Sequence, residues 1–155
     1  MMLGNLPRDG GHLIIKNQEK YEDFIMQEPD AEKFIKPYIG ADEFINNKRR
    51  YCLWLVDATP NELSNMPLVM ERIRAVKRFR LASNRRATQN LAASSWLFAE
   101  IRQPNSNYII VPRTSSETRE YVPLGFMLPS KIPVRLSELC PAVIILKRYM
   151  VKNSQ

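Results

Sequence analysis

YIIVPRTSSETREYVPLGF, Tyr108 to Phe126, sets two apolar runs, Tyr108–Pro112 and Tyr121–Phe126, on either side of an unbroken polar stretch, Arg113 to Glu120. Two short apolar runs flanking a polar segment read as an antiparallel β-hairpin. A tight two-residue turn is normally built from Asn-Gly or Asp-Gly, and this tip contains neither glycine nor asparagine. The tip is longer than folding alone requires. Arg113, Glu117 and Arg119 are also residue types that read base edges, because Arg bonds guanine bidentately and a carboxylate accepts from the cytosine amino group. Pro123 and Gly125 put the second run at a sheet edge or on a bulge, since proline cannot donate to the ladder.

Outward from the hairpin, strands and helices alternate. YCLWLV, Tyr51–Val56, carries apolar residues on both faces and reads as a central strand, with short strands expected at Leu13–Ile15, Trp96–Ile101 and Ala142–Leu146. Asn17 is placed to cap a helix whose first turns carry Glu19, Glu22 and Asp23 and whose apolar face is Tyr21, Phe24 and Ile25. Pro29 opens a second helix expected to run through Phe34 and Ile35, to break near Pro37 and to close at Gly40, with a further turn at Ala41–Ile45. Thr59, Pro60 and Glu62 form a capping box with proline at the first helical position. The expected fold is therefore α+β, a mixed, mostly antiparallel sheet with helices packed on its faces.

The longest helix is expected from Pro67 to about Ser83, with Val69, Ile73, Val76 and Phe79 on its buried stripe. Between Pro67 and Arg86 seven basic residues, Arg72, Arg74, Lys77, Arg78, Arg80, Arg85 and Arg86, face Glu71 alone, so this stretch carries +6 of the chain's formal +7. Positive charge concentrated in this way suits a phosphate backbone, where each neutralised phosphate releases counterions. Arg74, Lys77, Arg78 and Arg85 fall roughly opposite the apolar stripe and are the candidate phosphate contacts; the basic turn at Lys48 and Arg49 is a second. The alternative is a solvated amphipathic helix whose arginines pair with acidic residues of the first third.

Several chemistries lack their residues. With 155 residues and 45% hydrophobic content the chain is long enough for one well-buried core. Cys52 and Cys140 stand far apart and outside any C-x-x-C pair, which leaves no zinc or disulfide framework and reads as small buried hydrophobes. His12 is the single histidine, and neither G-x-G-x-x-G nor G-x-x-x-x-G-K-[ST] occurs. Pro29, Asp30, Glu32 and Lys33 hold the letters of a Mg²⁺ nuclease site but crowd into one helical turn, where carboxylates cannot converge from separate strands. The sequence thus offers no catalytic, cofactor-binding or metal residues. No apolar stretch reaches membrane-spanning length, and MMLGNLPRDGGH lacks the continuous apolar core of a signal peptide, so a cytoplasmic protein without membrane contact is expected.

Four stretches together, GNLPRDGGHLII, KPYIGADEFINNKRRYCLWL, MPLVMERIRAVKRFR and YIIVPRTSSETREYVPLGF, resemble the target-recognition domain of MmeI-like (type IIL) restriction–modification DNA methyltransferases, over Gly4 to Phe126. The resemblance implies a module that docks on double-stranded DNA and reads a short asymmetric sequence. A methyltransferase catalytic domain, in the same or a neighbouring chain, would then methylate adenine from S-adenosylmethionine. It implies base-reading side chains at Ser115, Ser116, Glu117 and Arg119, the Ser-Ser-Glu-x-Arg segment. The methyl donor's glycine-rich loop and the Asn-Pro-Pro-aromatic motif do not occur, so this chain is not expected to be an enzyme on its own. Residues 1–126 are expected to form the recognition domain, and 127–155 a divergent C-terminal segment such as truncation or a frame shift would leave. The alternative function is a general nucleic-acid- or protein-binding domain without sequence specificity.

Overall fold

The computed structural model describes residues 2–112, 124–134 and 137–141. In chain order they form β1 (Met2–Leu3), β2 (Ile14–Ile15), α1 (Gln18–Gln27), a 3-10 helix (Pro29–Phe34), β3 (Ile35–Ile39) and α2 (Ala41–Ile45). There follow β4 (Tyr51–Leu53), α3 (Pro60–Ser64), α4 (Pro67–Leu81), α5 (Arg86–Asn90) and a second 3-10 turn (Leu91–Ser94). The last strands are β5 (Tyr108–Pro112), β6 (Gly125–Met127), β7 (Ile132–Pro133) and β8 (Ser137–Pro141). Two compact units result, one from residues 6–37 and 49–101, the other from residues 1–5, 38–48 and 102–155.

In the first unit β4 is the central strand, antiparallel to β2 on one side and to Ile35–Pro37 of β3 on the other. Leu13, Ile15, Cys52, Leu53 and Leu55 are all but fully buried around it. Asn17 caps α1 as expected, its Oδ1 accepting from the Lys20 amide at 2.9 Å. The capping box at Thr59 and Glu62 also forms. The helix expected to continue through Ile35 instead ends at Phe34. Pairing of Ile35 and Lys36 with Leu53 and Cys52, a contact remote in sequence, draws the segment into a strand that local patterning does not reveal. Trp96–Ile101 likewise forms no regular strand, because Glu100 makes one isolated bridge with Leu6 and Ala99 donates to the Pro7 carbonyl.

The second unit carries the sheet β1-β8-β5-β6. Tyr108, Ile109 and Ile110 of β5 pair antiparallel with Met127, Phe126 and Gly125 of β6, which confirms the hairpin and leaves β6 at the edge of the described sheet. All five residues of β5 pair with β8 on the other side. Tyr108, Ile110 and Met127 form the core, with Ile39 and Phe44 packed against them. Gly125 has to be glycine for close approach, since a Cβ there would lie 2.3 Å from the Phe44 ring. Buried Asn5 ties the N-terminal segment to this unit, accepting from the Arg102 amide at 2.6 Å and donating to Gln103 at 3.0 Å.

Candidate nucleic-acid interface

The candidate interface starts from α4. Its buried stripe is Val69, Ile73, Val76 and Arg80, so a buried arginine takes the place expected for Phe79. The Phe79 ring is about half exposed and lies against Gly10, whose φ of +66° belongs to the left-handed region that favours glycine. The Arg80 guanidinium is satisfied without a carboxylate. Nε donates to the Arg8 carbonyl, Nη1 to those of Leu91 and Ser94, and Nη2 to those of Pro7 and Leu97, at 2.7 to 3.1 Å. All five donors of the fork are used, which compensates the desolvation of a buried charge.

Arg72 is also committed internally. Its Nη1 donates to the His12 carbonyl at 2.9 Å, and its guanidinium stands 4.8 Å over the Phe24 ring. Two of the seven cations counted in this stretch therefore build the fold, a role that sequence cannot show because their carbonyl partners come from remote loops. Arg74, Lys77 and Arg78 are exposed on the opposite side of α4, and Arg85 is exposed just beyond its C-terminal end. Among the described residues none of these four holds an ion pair. The helix start is fixed from elsewhere in the chain: buried Glu28 accepts from the Leu68 and Val69 amides at 3.0 and 2.8 Å, satisfying donors that the helix itself leaves open.

The second basic turn differs. Lys48 pairs with Asp42 at 2.8 Å, and the hydrogen bond and charge of that carboxylate hold the ammonium above its usual range. Arg49 reaches the Gln18 side chain at 3.4 Å. Both are exposed. Arg113, Ser115, Ser116, Glu117 and Arg119 lie outside the described residues, whereas the β5–β6 pair that flanks them is well fixed by its register. Among the described residues no group of acidic, histidine or cysteine side chains is placed to hold a metal ion, and no helix is long and apolar enough to cross a membrane. Burial pushes the Cys52 thiol up, away from thiolate chemistry.

A family model described as MmeI, target recognition domain, matches residues 1–143. DNA methyltransferase A of Bacillus subtilis (strain 168) is 40% identical over 122 residues, which make up 79% of this chain and 14% of that protein. The solved structure of the Type IIL restriction-modification enzyme MmeI in complex with DNA superposes with a TM-score of 0.87 at 39% identity, covering 91% of this chain and 19% of that one. The chain spans less than a quarter of the length of either relative.

Proposed function

The chain belongs to the MmeI target recognition domain family, and from that premise we propose that it docks on double-stranded DNA and reads a short sequence on behalf of an adenine-specific methyltransferase. The observation that carries the reading is the likeness, in sequence and in fold, to an enzyme whose structure was solved in complex with DNA. The local chemistry agrees. α4 offers Arg74, Lys77 and Arg78 as exposed cations without ion pairs among the described residues, the arrangement that phosphate contacts need. Arg85 extends this set, and Lys48 and Arg49 are weaker contributors, since Lys48 must give up Asp42 to meet a phosphate.

Base reading falls to the hairpin tip. Arg113 and Arg119 suit guanine and Glu117 suits the cytosine amino group, with Ser115 and Ser116 beside them. Catalysis would lie elsewhere in a longer enzyme: the methyltransferase domain of the same or a neighbouring chain would hold S-adenosylmethionine, whose binding loop this sequence lacks. A cytoplasmic setting, where chromosomal DNA is the substrate, fits this role.

Selection of bound duplexes from a randomised pool, using the 155-residue chain, tests the reading. A recurring short motif, bound at least about tenfold more tightly than scrambled duplex, is expected, in line with the cost of one mismatched pair. Equal affinity for every duplex would instead establish the general nucleic-acid-binding alternative, and no affinity for duplex would end both.

A further inference from the structure

An open groove of about 700 Å³ lies between β2 and α1 on one side and α4 on the other. Its lining holds four cations, Lys16, Lys20, Arg72 and Arg78, against Glu71 alone. The acids of α1 do not line it: Glu22 accepts from Gln18 at 2.8 Å, and Asp23 holds Lys20 in an exposed ion pair at 3.4 Å, which Lys20 gives up to meet a phosphate. Arg72 seals the floor through its bonds to the His12 and Ile14 carbonyls, which also covers the open edge of β2. Lys16 and Lys20 are left exposed on one rim and Arg78 on the other. Arg78 belongs at once to this rim and to the exposed cationic face of α4.

We infer that Lys16 and Lys20 continue the phosphate-binding surface of α4 across the groove, so that one DNA backbone runs from Arg74 and Lys77 through Arg78 to the β2–α1 rim. The inference rests on the DNA-docking reading above and adds two contacts to it. Nothing in the composition of α1, which carries Glu19, Glu22 and Asp23, marks its first turn as part of a cationic surface. The surface emerges only when folding sets that turn opposite α4. Because these contacts meet phosphate, they strengthen binding to all sequences alike and carry no base information.

The double variant Lys16→Gln/Lys20→Gln (K16Q/K20Q) tests this in the 155-residue chain, with duplex affinity followed between about 50 and 200 mM salt. Loss of two phosphate contacts should flatten the log–log salt dependence by about 1.8 and leave the ratio of affinities for different duplexes unchanged. Lys33→Gln (K33Q), which removes one charge outside the groove, should retain the parent slope. Intact binding with an unchanged slope in K16Q/K20Q would overturn the groove contacts and spare the DNA-docking reading. Equal flattening by K33Q would overturn them too, as an effect of net charge. Failure of the unaltered chain to bind duplex would remove both readings together.

Discussion

Arg80 donates to the Leu97 carbonyl at 2.7 Å across a separation of seventeen residues, and the same guanidinium reaches back to Pro7 at 3.0 Å. One side chain thereby joins α4 to the N-terminal segment and to the turn that follows α5. It is also one of the seven basic residues that make the stretch from Pro67 to Arg86 strongly positive. Arg80→Lys supplies at most three of the five donors from a point charge, so it should destabilise the chain by at least about 2 kcal/mol in urea unfolding. Duplex affinity measured on the folded fraction should stay at the parent value, because Arg80 has no exposed surface. A folded Arg80→Lys variant with normal stability and weakened DNA binding would reverse the assignment.

Glu28 closes α1 with its backbone, donating to the Phe24 carbonyl at 2.9 Å, and opens α4 with its carboxylate. The negative group also sits at the positive end of the α4 dipole. Glu28→Ala leaves two amides without their acceptor and should cost about 1 to 3 kcal/mol. Hydrogen exchange at Leu68 and Val69 should accelerate beyond the change in global stability. Uniform acceleration across α4 would show that the carboxylate is not the cap.

How much of this was legible in sequence depends on how far apart the partners lie. Asn17, Thr59 and Glu62 act within three residues, and their caps are read directly from spacing. The continuous apolar run from Tyr51 and the paired runs around Arg113 likewise announced a central strand and a hairpin. Ile35 and Lys36 gave no such sign, because the strand they form exists only through Cys52 and Leu53. Phe79 and Arg80 both fit the helical stripe, and polarity alone favoured the wrong one. What decides for Arg80 is a set of five carbonyls contributed by residues 7–8 and 91–97. The cationic face of α4 was visible for the same reason that the caps were, being a local pattern. The roles of Arg72 and Arg80, and the rim at Lys16 and Lys20, needed the fold.

Glu62 should titrate abnormally. Hydrogen bonds from Lys33 first, then from the Thr59 backbone and hydroxyl, hold its carboxyl down at about 2. The folded value lies below the ordinary carboxylate range, so the contribution of this cap is complete above that range and is lost as pH falls through about 2. Side-chain carboxyl shifts followed by NMR should give a midpoint near 2 for Glu62, and Lys33→Gln should raise it. A midpoint near 4.3, about the value for a free glutamate, would show that the cap and the ion pair do not persist in solution.

A side chain at Gly125 should be costly while Phe44 is present. A methyl group there meets the ring at 2.3 Å, so the Phe44 ring or β6 must shift. Gly125→Ala should destabilise by about 1 to 3 kcal/mol, as overpacked cores do. Phe44→Leu should recover part of that loss in the double variant, a non-additivity expected of residues in contact. Strict additivity would mean that the two do not touch.

The proposed division of labour between hairpin tip and helix gives the sharpest test of function. Arg119→Ala or Glu117→Gln should change which duplex is preferred, each bidentate contact being worth about 1 to 3 kcal/mol of discrimination. Lys77→Gln should instead weaken every duplex by a similar factor and reduce the salt slope by about 1. The two outcomes separate because base edges differ between sequences whereas phosphates do not. Competition between the selected motif and single-base variants of it, run for each protein variant, yields both quantities from one titration set. An equal loss on all duplexes from Arg119→Ala and Glu117→Gln would move those residues to the backbone and leave the tip without a reading role. A change of preference from Lys77→Gln would place α4 in a groove, against base edges.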